Sequence, residues 1–203
     1  MAITITREPD VIDLLDIRPQ LTTIILAGGQ GARVANTDKG WLLWQGRPLI
    51  ERVAEAARAQ SAGAIISCNR NQARYAALGL PTVVDRRAGF QGPLAGIEAG
   101  LSICPTPWAL ILPCDSPRIS QYLASSLWKV QQATGAHIVY ARDRARDHYL
   151  FALWQTRLLS PLSSFLDTGS RAVKAFYGQQ HAAFALIDEP GQFANINTLE
   201  DLR

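Results

Sequence analysis

Hydrophobic positions along this chain come in short runs, separated by breaks rich in glycine, proline and polar residues. Thr23 to Ala27 is a run of β-branched and small residues closed by Gly28. Such a run reads as a buried strand, central and parallel. Trp41 to Trp44 is apolar, and Gly46 turns the chain. Pro48 suits a first helical position, and Leu49, Ile50, Val53, Ala56 and Ala57 recur at helical spacing through Gln60. Ala64 to Cys68 predicts a second strand, followed by a helix through Leu78 that stops at Gly79. Thr82 to Val84 predicts a third strand, Leu94 to Ile103 a helix, and Trp108 to Leu112 a fourth, very apolar strand. A helix from about Ser120 to Ala133 comes next. Strands at His137 to Ala141 and Tyr149 to Trp154, helices at Arg157 to Leu166 and Arg171 to Tyr177, and a strand at Ala183 to Ile187 complete the pattern. Alternation at this pitch predicts an α/β fold with a mainly parallel sheet. Ligands of such sheets sit beyond the carboxyl ends of the strands.

Residues 1–20 break the pattern. Ile3 and Ile5 alternate with threonine, four acidic residues follow between Glu8 and Asp16, and Pro9 and Pro19 bracket a short helical stretch. This segment reads as a poorly ordered N-terminal extension. Residues 21–203 then form a single domain, long enough for a sizeable core.

Composition narrows the class. Hydrophobic residues make up 48% and charged residues 18%, ordinary for a soluble globular protein. The net charge of +3 is small and its basic residues are scattered, which argues against nucleic acid as a partner. No apolar run reaches membrane-spanning length, so no membrane partner is expected. Cys68, Cys104 and Cys114 are odd in number and lack C-x-x-C spacing. They read as free thiols in a reducing compartment, which fits a cytoplasmic enzyme.

The candidate chemistry gathers after the strands. Gly28, Gly29 and Gly31 follow the first one, and Arg33 and Lys39 bring two cations to the same loop. An apolar strand, a glycine loop and paired cations describe a cradle for phosphate. The loop fits neither the dinucleotide fingerprint, which fails at Val34, nor the P-loop pattern. Ser67 and Asn69, Asp85 and Asp115 each follow the end of another predicted strand. Four segments would thus deliver polar groups to one crevice. Asp115, in Leu112-Pro113-Cys114-Asp115-Ser116-Pro117, either starts the turn before Pro117 or binds a hard divalent cation.

The glycine loop resembles L-A-G-G-x-x-x-R-M…D-K-G, the signature of nucleotidyltransferases and specifically of molybdenum cofactor guanylyltransferases. Leu26, Ala27, Gly28, Gly29, Arg33, Asp38, Lys39 and Gly40 carry the match, with Val34 in place of methionine. Gly92 to Ile97 resembles the family's G-P-L-A-G-[IM], and Pro113 to Pro117 its P-C-D-[ST]-P. Asn69-Arg70 is similar to its N-R, and Asn195 to Thr198 to its N-[IV]-N-T. Ser67 stands where the family often has asparagine, and Tyr149-Leu150 where it usually has Pro-Thr. The resemblance covers about residues 22–203.

The resemblance implies a three-layer, Rossmann-like nucleotidyltransferase fold. It implies transfer of GMP from GTP to molybdopterin, giving the guanine dinucleotide cofactor and pyrophosphate, with Mg2+ on Asp115. Arg33, Lys39 and Asp115 would be catalytic. Leu26, Ala27, Gly28, Gly29, Lys39, Ser67, Asn69, Asp85, Gly96 and Asp115 would hold the nucleotide. Arg171, Asn195 and Asn197 would face the pterin substrate. Molybdoenzymes or cofactor-insertion proteins would be the protein partners. The rival readings are a cytidylyltransferase of the same cofactor, a sugar-phosphate nucleotidyltransferase, and a catalytically silent nucleotide-binding assembly subunit.

Overall fold

A computed structural model of the chain describes residues 3–4, 17–29, 38–189 and 191–196. Its strands are β1 (Ile3–Thr4), β2 (Leu21–Leu26), β3 (Leu43–Trp44), β4 (Arg47–Pro48), β5 (Gly63–Ser67), β6 (Thr82–Val83), β7 (Trp108–Pro113), β8 (Ile138–Arg142), β9 (Asp147–Gln155) and β10 (Ala182–Leu186). Its helices are α1 (Leu49–Gln60), α2 (Gln72–Ala76), α3 (Pro93–Leu101), α4 (Leu123–Thr134), α5 (Leu159–Asp167) and α6 (Val173–Tyr177).

Eight strands form one sheet in the order β1-β10-β8-β9-β7-β2-β5-β6, and β3 and β4 make a separate small hairpin. Every pairing in the large sheet is parallel except the two made by β9, which runs against both β7 and β8. The mainly parallel α/β sheet expected from the sequence is therefore present.

Helices cover both faces, because successive strand residues point to opposite sides. Trp108, Leu110 and Leu112 of β7 join Ile50, Val53 and Ala57 of α1 and Leu123, Leu127 and Val130 of α4 in one core. Ala109 and Ile111 of the same strand join Leu94 and Ile97 of α3, Leu162 and Phe165 of α5 and Phe176 of α6 in the other. Three layers result. The second contact is close: a Cβ on Gly100 of α3 would lie 2.5 Å from Cγ2 of Ile24 in β2.

Two features join parts of the N-terminal segment to the rest of the chain. Ile17, assigned from sequence to the extension, is fully buried in the α1/α4 core. Ile3 and Thr4 add to the sheet edge beside Ala185 and Leu186 of β10. Neither signal is local. Ile17 ends a short stretch that mixes apolar and acidic residues, Val11 to Ile17, and its own partners lie far along the chain. Thr198, which reads from the sequence as a helix cap, lies outside the described residues.

Candidate active site

The carboxyl ends of β2, β5, β6 and β7 lie at one edge of the sheet, and a cleft of about 570 Å3 opens there. Nine of the residues expected at a nucleotide site line it: Leu26, Ala27, Gly28, Gly29, Lys39, Ser67, Asp85, Gly96 and Asp115. Asn195, expected to face the second substrate, lines it as well. The antiparallel strand β9 enters at this same edge, which is how Leu150 reaches the cleft wall. Phe90 adds a half-exposed aromatic ring.

Two of the cleft glycines, Gly96 and Gly28, make room for close packing. A Cβ on Gly96 would meet Oγ of Ser67 at 2.8 Å and Cδ2 of Leu26 at 3.1 Å, so α3 can start close above β2 and β5 only without one. A Cβ on Gly28 would meet Nδ2 of Asn69 at 3.2 Å. Gly92 has φ +78° and precedes α3, a conformation that favours glycine.

Lys39 and Asp115 meet across the cleft. Lys39 Nζ donates to Asp115 Oδ2 at 3.3 Å, with the side chains 23% and 14% exposed. Asp115 Oδ1 is buried and has no hydrogen-bond partner among the described residues. The loop around it is fixed from the far side: Ile196 N donates to the Asp115 carbonyl, and Ser116 Oγ donates to Asn195 Oδ1, each at 2.8 Å. A buried carboxylate oxygen without a donor suits a hard cation, the group the resemblance implies. No set of three or more His, Cys, Asp or Glu side chains able to hold a metal gathers among the described residues. Magnesium does not require one. It commonly takes one or two carboxylates and completes its shell with phosphate oxygens and water. The residues present therefore fit the ion.

Asp38 is held by three donors: Gly40 N at 3.3 Å, Asn71 Nδ2 at 2.9 Å and Tyr75 OH at 2.5 Å. Asp85 is held by Asn69, which donates Nδ2 to Oδ2 at 2.8 Å and accepts the Asp85 backbone N–H at 2.9 Å. Burial raises the pKa of Asp85, the Asn69 hydrogen bond opposes that rise, and the Glu98 charge adds to it. Burial disfavours the thiolate form of both neighbouring cysteines. Burial, with the Asp38 and Asp85 charges, pushes Cys68 up to about 11, and burial with the Asp115 and Asp38 charges drives Cys114 higher still.

Some expected site residues stand elsewhere. Asn69 is not among the residues lining the cleft; its amide is spent on Asp85. Arg171 does not line it either. Its Nε donates to Gln91 Oε1, and its Nη1 donates to the carbonyls of Leu166 and Ser170 at 2.7 Å. Arg33 and Asn197 lie outside the described residues. Tyr75 and Asn71 were not foreseen. Their role rests on partners 37 and 33 residues away, and nothing in the local sequence marks them.

Comparison with known proteins bears on the same segments. Residues 23–183 match the model of the MobA-like NTP transferase domain. A molybdenum cofactor guanylyltransferase of Pasteurella multocida is 40% identical over 183 residues, 90% of this chain and 97% of that protein. One of Mannheimia succiniciproducens is 39% identical over 184 residues, covering 90% and 96%. The crystal structure of molybdopterin-guanine dinucleotide biosynthesis protein A from Archaeoglobus fulgidus shares the fold. Its TM-score is 0.75 at 21% identity, over 89% of this chain and 94% of that one. With the match running from β2 into β10 and such relatives covering nine tenths of its length, the chain belongs to the MobA-like NTP transferase family.

Proposed function

We propose that the chain is a guanylyltransferase that moves GMP from GTP to molybdopterin, forming the guanine dinucleotide cofactor and releasing pyrophosphate. The Lys39–Asp115 pair, set with the glycine loop at the strand ends, is the observation that carries this reading. The names of the 40% and 39% identical relatives support the choice of GTP and molybdopterin. An oxygen of the pterin's terminal phosphate attacks the α-phosphorus of GTP. That bond forms as the bond to the α,β-bridging oxygen breaks, and the electron pair leaves with pyrophosphate. The protein positions the two phosphates and balances charge that moves toward the leaving group.

Backbone N–H groups of the glycine loop and Lys39 hold the β- and γ-phosphates, joined by Arg33. Ser67, Asp85 and Gly96 take the nucleoside end, and Asn195 faces the second substrate. Asp115 would hold Mg2+, which when bound supplies charge neutralisation at the phosphates. The three free cysteines support a reducing, cytoplasmic location. Molybdoenzymes or cofactor-insertion proteins would receive the product.

The base is tested by thermal shift. GTP with magnesium at a hundred times its Kd is expected to raise stability by ~2.7 kcal/mol. For a domain of this size that is about 5–10 °C in Tm. CTP at the same concentration is expected to give less than half of that shift. A shift with CTP as large as or larger than with GTP would move the assignment to a cytidylyltransferase.

A further inference from the structure

One short segment contacts three separate parts of the cleft wall. Asn69, directly after β5, binds both the carboxylate and the backbone N–H of Asp85. Arg70 Nη2 donates to the carbonyl of Gly29 at 3.1 Å, in the glycine loop. Asn71, with φ +53°, and Tyr75 of α2 both donate to the carboxylate of Asp38, the residue before Lys39. None of these four side chains lines the cleft. Everything they hold is in the cleft wall or next to it: Gly29, Asp38 and Asp85 all line it, and Lys39 follows Asp38.

The packing leaves little slack. Tyr75 is fully buried and sits against Trp41, with ring centroids 5.2 Å apart. A Cβ on Gly40 would fall 2.5 Å from the Tyr75 hydroxyl oxygen, so the turn that carries Lys39 is pressed onto that hydroxyl. On the other side, Asn69 fills the space that a Gly28 side chain would need.

We propose that the segment Asn69–Tyr75 is a positioning bracket: Asn69 acts through Asp85, and Asn71 and Tyr75 act through Asp38 on Lys39, rather than by touching substrate. The proposal rests on the nucleotide-binding reading of the cleft and deepens it. The sequence pattern placed Asn69 among the nucleotide's own contacts; the bracket reassigns it.

Double-mutant cycles test this, because a residue that acts only through another has no effect once that other is gone. Asn69→Ala is expected to raise the KM for GTP about tenfold, the scale of one hydrogen bond to a charged group, with kcat within about twofold. Tyr75→Phe, which keeps the ring and removes the hydroxyl, is expected to lower kcat about tenfold with the KM for GTP within about twofold. In an Asp85→Ala background the Asn69→Ala effect on KM should vanish. In an Asp38→Ala background the Tyr75→Phe effect on kcat should vanish. Asp85→Asn and Asp38→Asn replace any background that does not fold.

The nucleotide-induced shift in Tm gives an independent readout of Asn69. It should shrink in Asn69→Ala and be the same in Asp85→Ala with and without Asn69→Ala. The probe is GTP, replaced by CTP if CTP stabilises the wild type more, so the choice of base can fail without touching the bracket. Effects of Asn69→Ala that persist undiminished in the Asp85→Ala background would overturn the proposal in favour of direct nucleotide contact. A Tyr75→Phe variant with lowered Tm and unchanged kcat would overturn it in favour of plain core packing.

Discussion

Asp115→Asn is expected to cut turnover with GTP, molybdopterin and magnesium by about a hundredfold or more. One preorganised charge at a transition state is typically worth ~3 kcal/mol, which is a rate factor of that size. The substitution is isosteric, so it removes charge and leaves volume. The Asp115 carboxylate makes one hydrogen bond among the described residues, to Lys39, and its other oxygen is buried without a hydrogen-bond partner there. A site that serves a ligand rather than the fold has this character. The melting temperature of Asp115→Asn should therefore stay within a few degrees of wild type, or rise, because an unpartnered buried acceptor is itself unfavourable. Asp38→Ala is the contrast. Its carboxylate accepts three hydrogen bonds, so its loss should lower Tm as well as turnover. Near-normal turnover in Asp115→Asn, or a collapse of its Tm, would return Asp115 to the role of a turn former.

The largest effect on stability is expected at Arg87. Its Nε and Nη2 both bind the Glu98 carboxylate at 2.8 Å, its Nη1 binds Asp167 at 2.7 Å, and its Nη2 also reaches the Ser163 carbonyl. The Glu98 side chain, on α3, is 4% exposed, and the guanidinium that covers it is also held by Ser163 and Asp167 of α5. Arg87→Met would leave that carboxylate buried without its cation, at a cost of about 3–5 kcal/mol. At roughly 2–4 °C per kcal/mol, the expected loss in Tm is about 10 °C.

The double variant Arg87→Met/Glu98→Leu should recover most of that loss, since an apolar pair of similar volume replaces a buried ion pair at little cost. The sign with pH follows from Glu98. The Arg87 hydrogen bonds hold its pKa below the usual carboxylate range. The pair's contribution is then complete at neutral pH and is lost as pH falls through that depressed value. The gap in Tm between wild type and Arg87→Met should narrow on acidification. A gap within 2 °C at pH 7 would refute the stabilising role of the Arg87–Glu98 pair.

Strands β2, β5 and β7 were legible because both of their faces are covered, which writes a continuous apolar run into the sequence. Strand β9 was legible only from Tyr149. Its first two residues are polar and find partners within the hairpin, Asp147 with Arg142 and His148 with Asp143. That β9 runs antiparallel was not legible, since periodicity carries no direction. At the site, Gly28, Asp85 and Asp115 could be read because each follows a strand end at the ligand-binding edge. Arg87, Asn71 and Tyr75 could not. A loop arginine looks solvated until its partners 11 and 80 residues away are known, and a tyrosine in a five-residue helix looks like packing.

The strand order also sets a timetable for synthesis. β2, flanked on both sides within the sheet, meets β5 soon after it emerges, but its other neighbour is β7, so Leu21 waits for Trp108. β9 must then slide between β7 and β8, and β1 pairs only with β10, Ile3 beside Ala185. At ~5–20 residues per second on the ribosome, the first strand stays without its partner for on the order of 10–40 s. Such non-local pairing is slow to form, and open strand edges are prone to wrong pairing meanwhile. Ribosome-bound chains stopped before residue 108 should be cut readily by protease within β2, and chains that extend past β10 should resist. Protection of β2 in the shorter chains would show that β5 and α1 suffice to fold it.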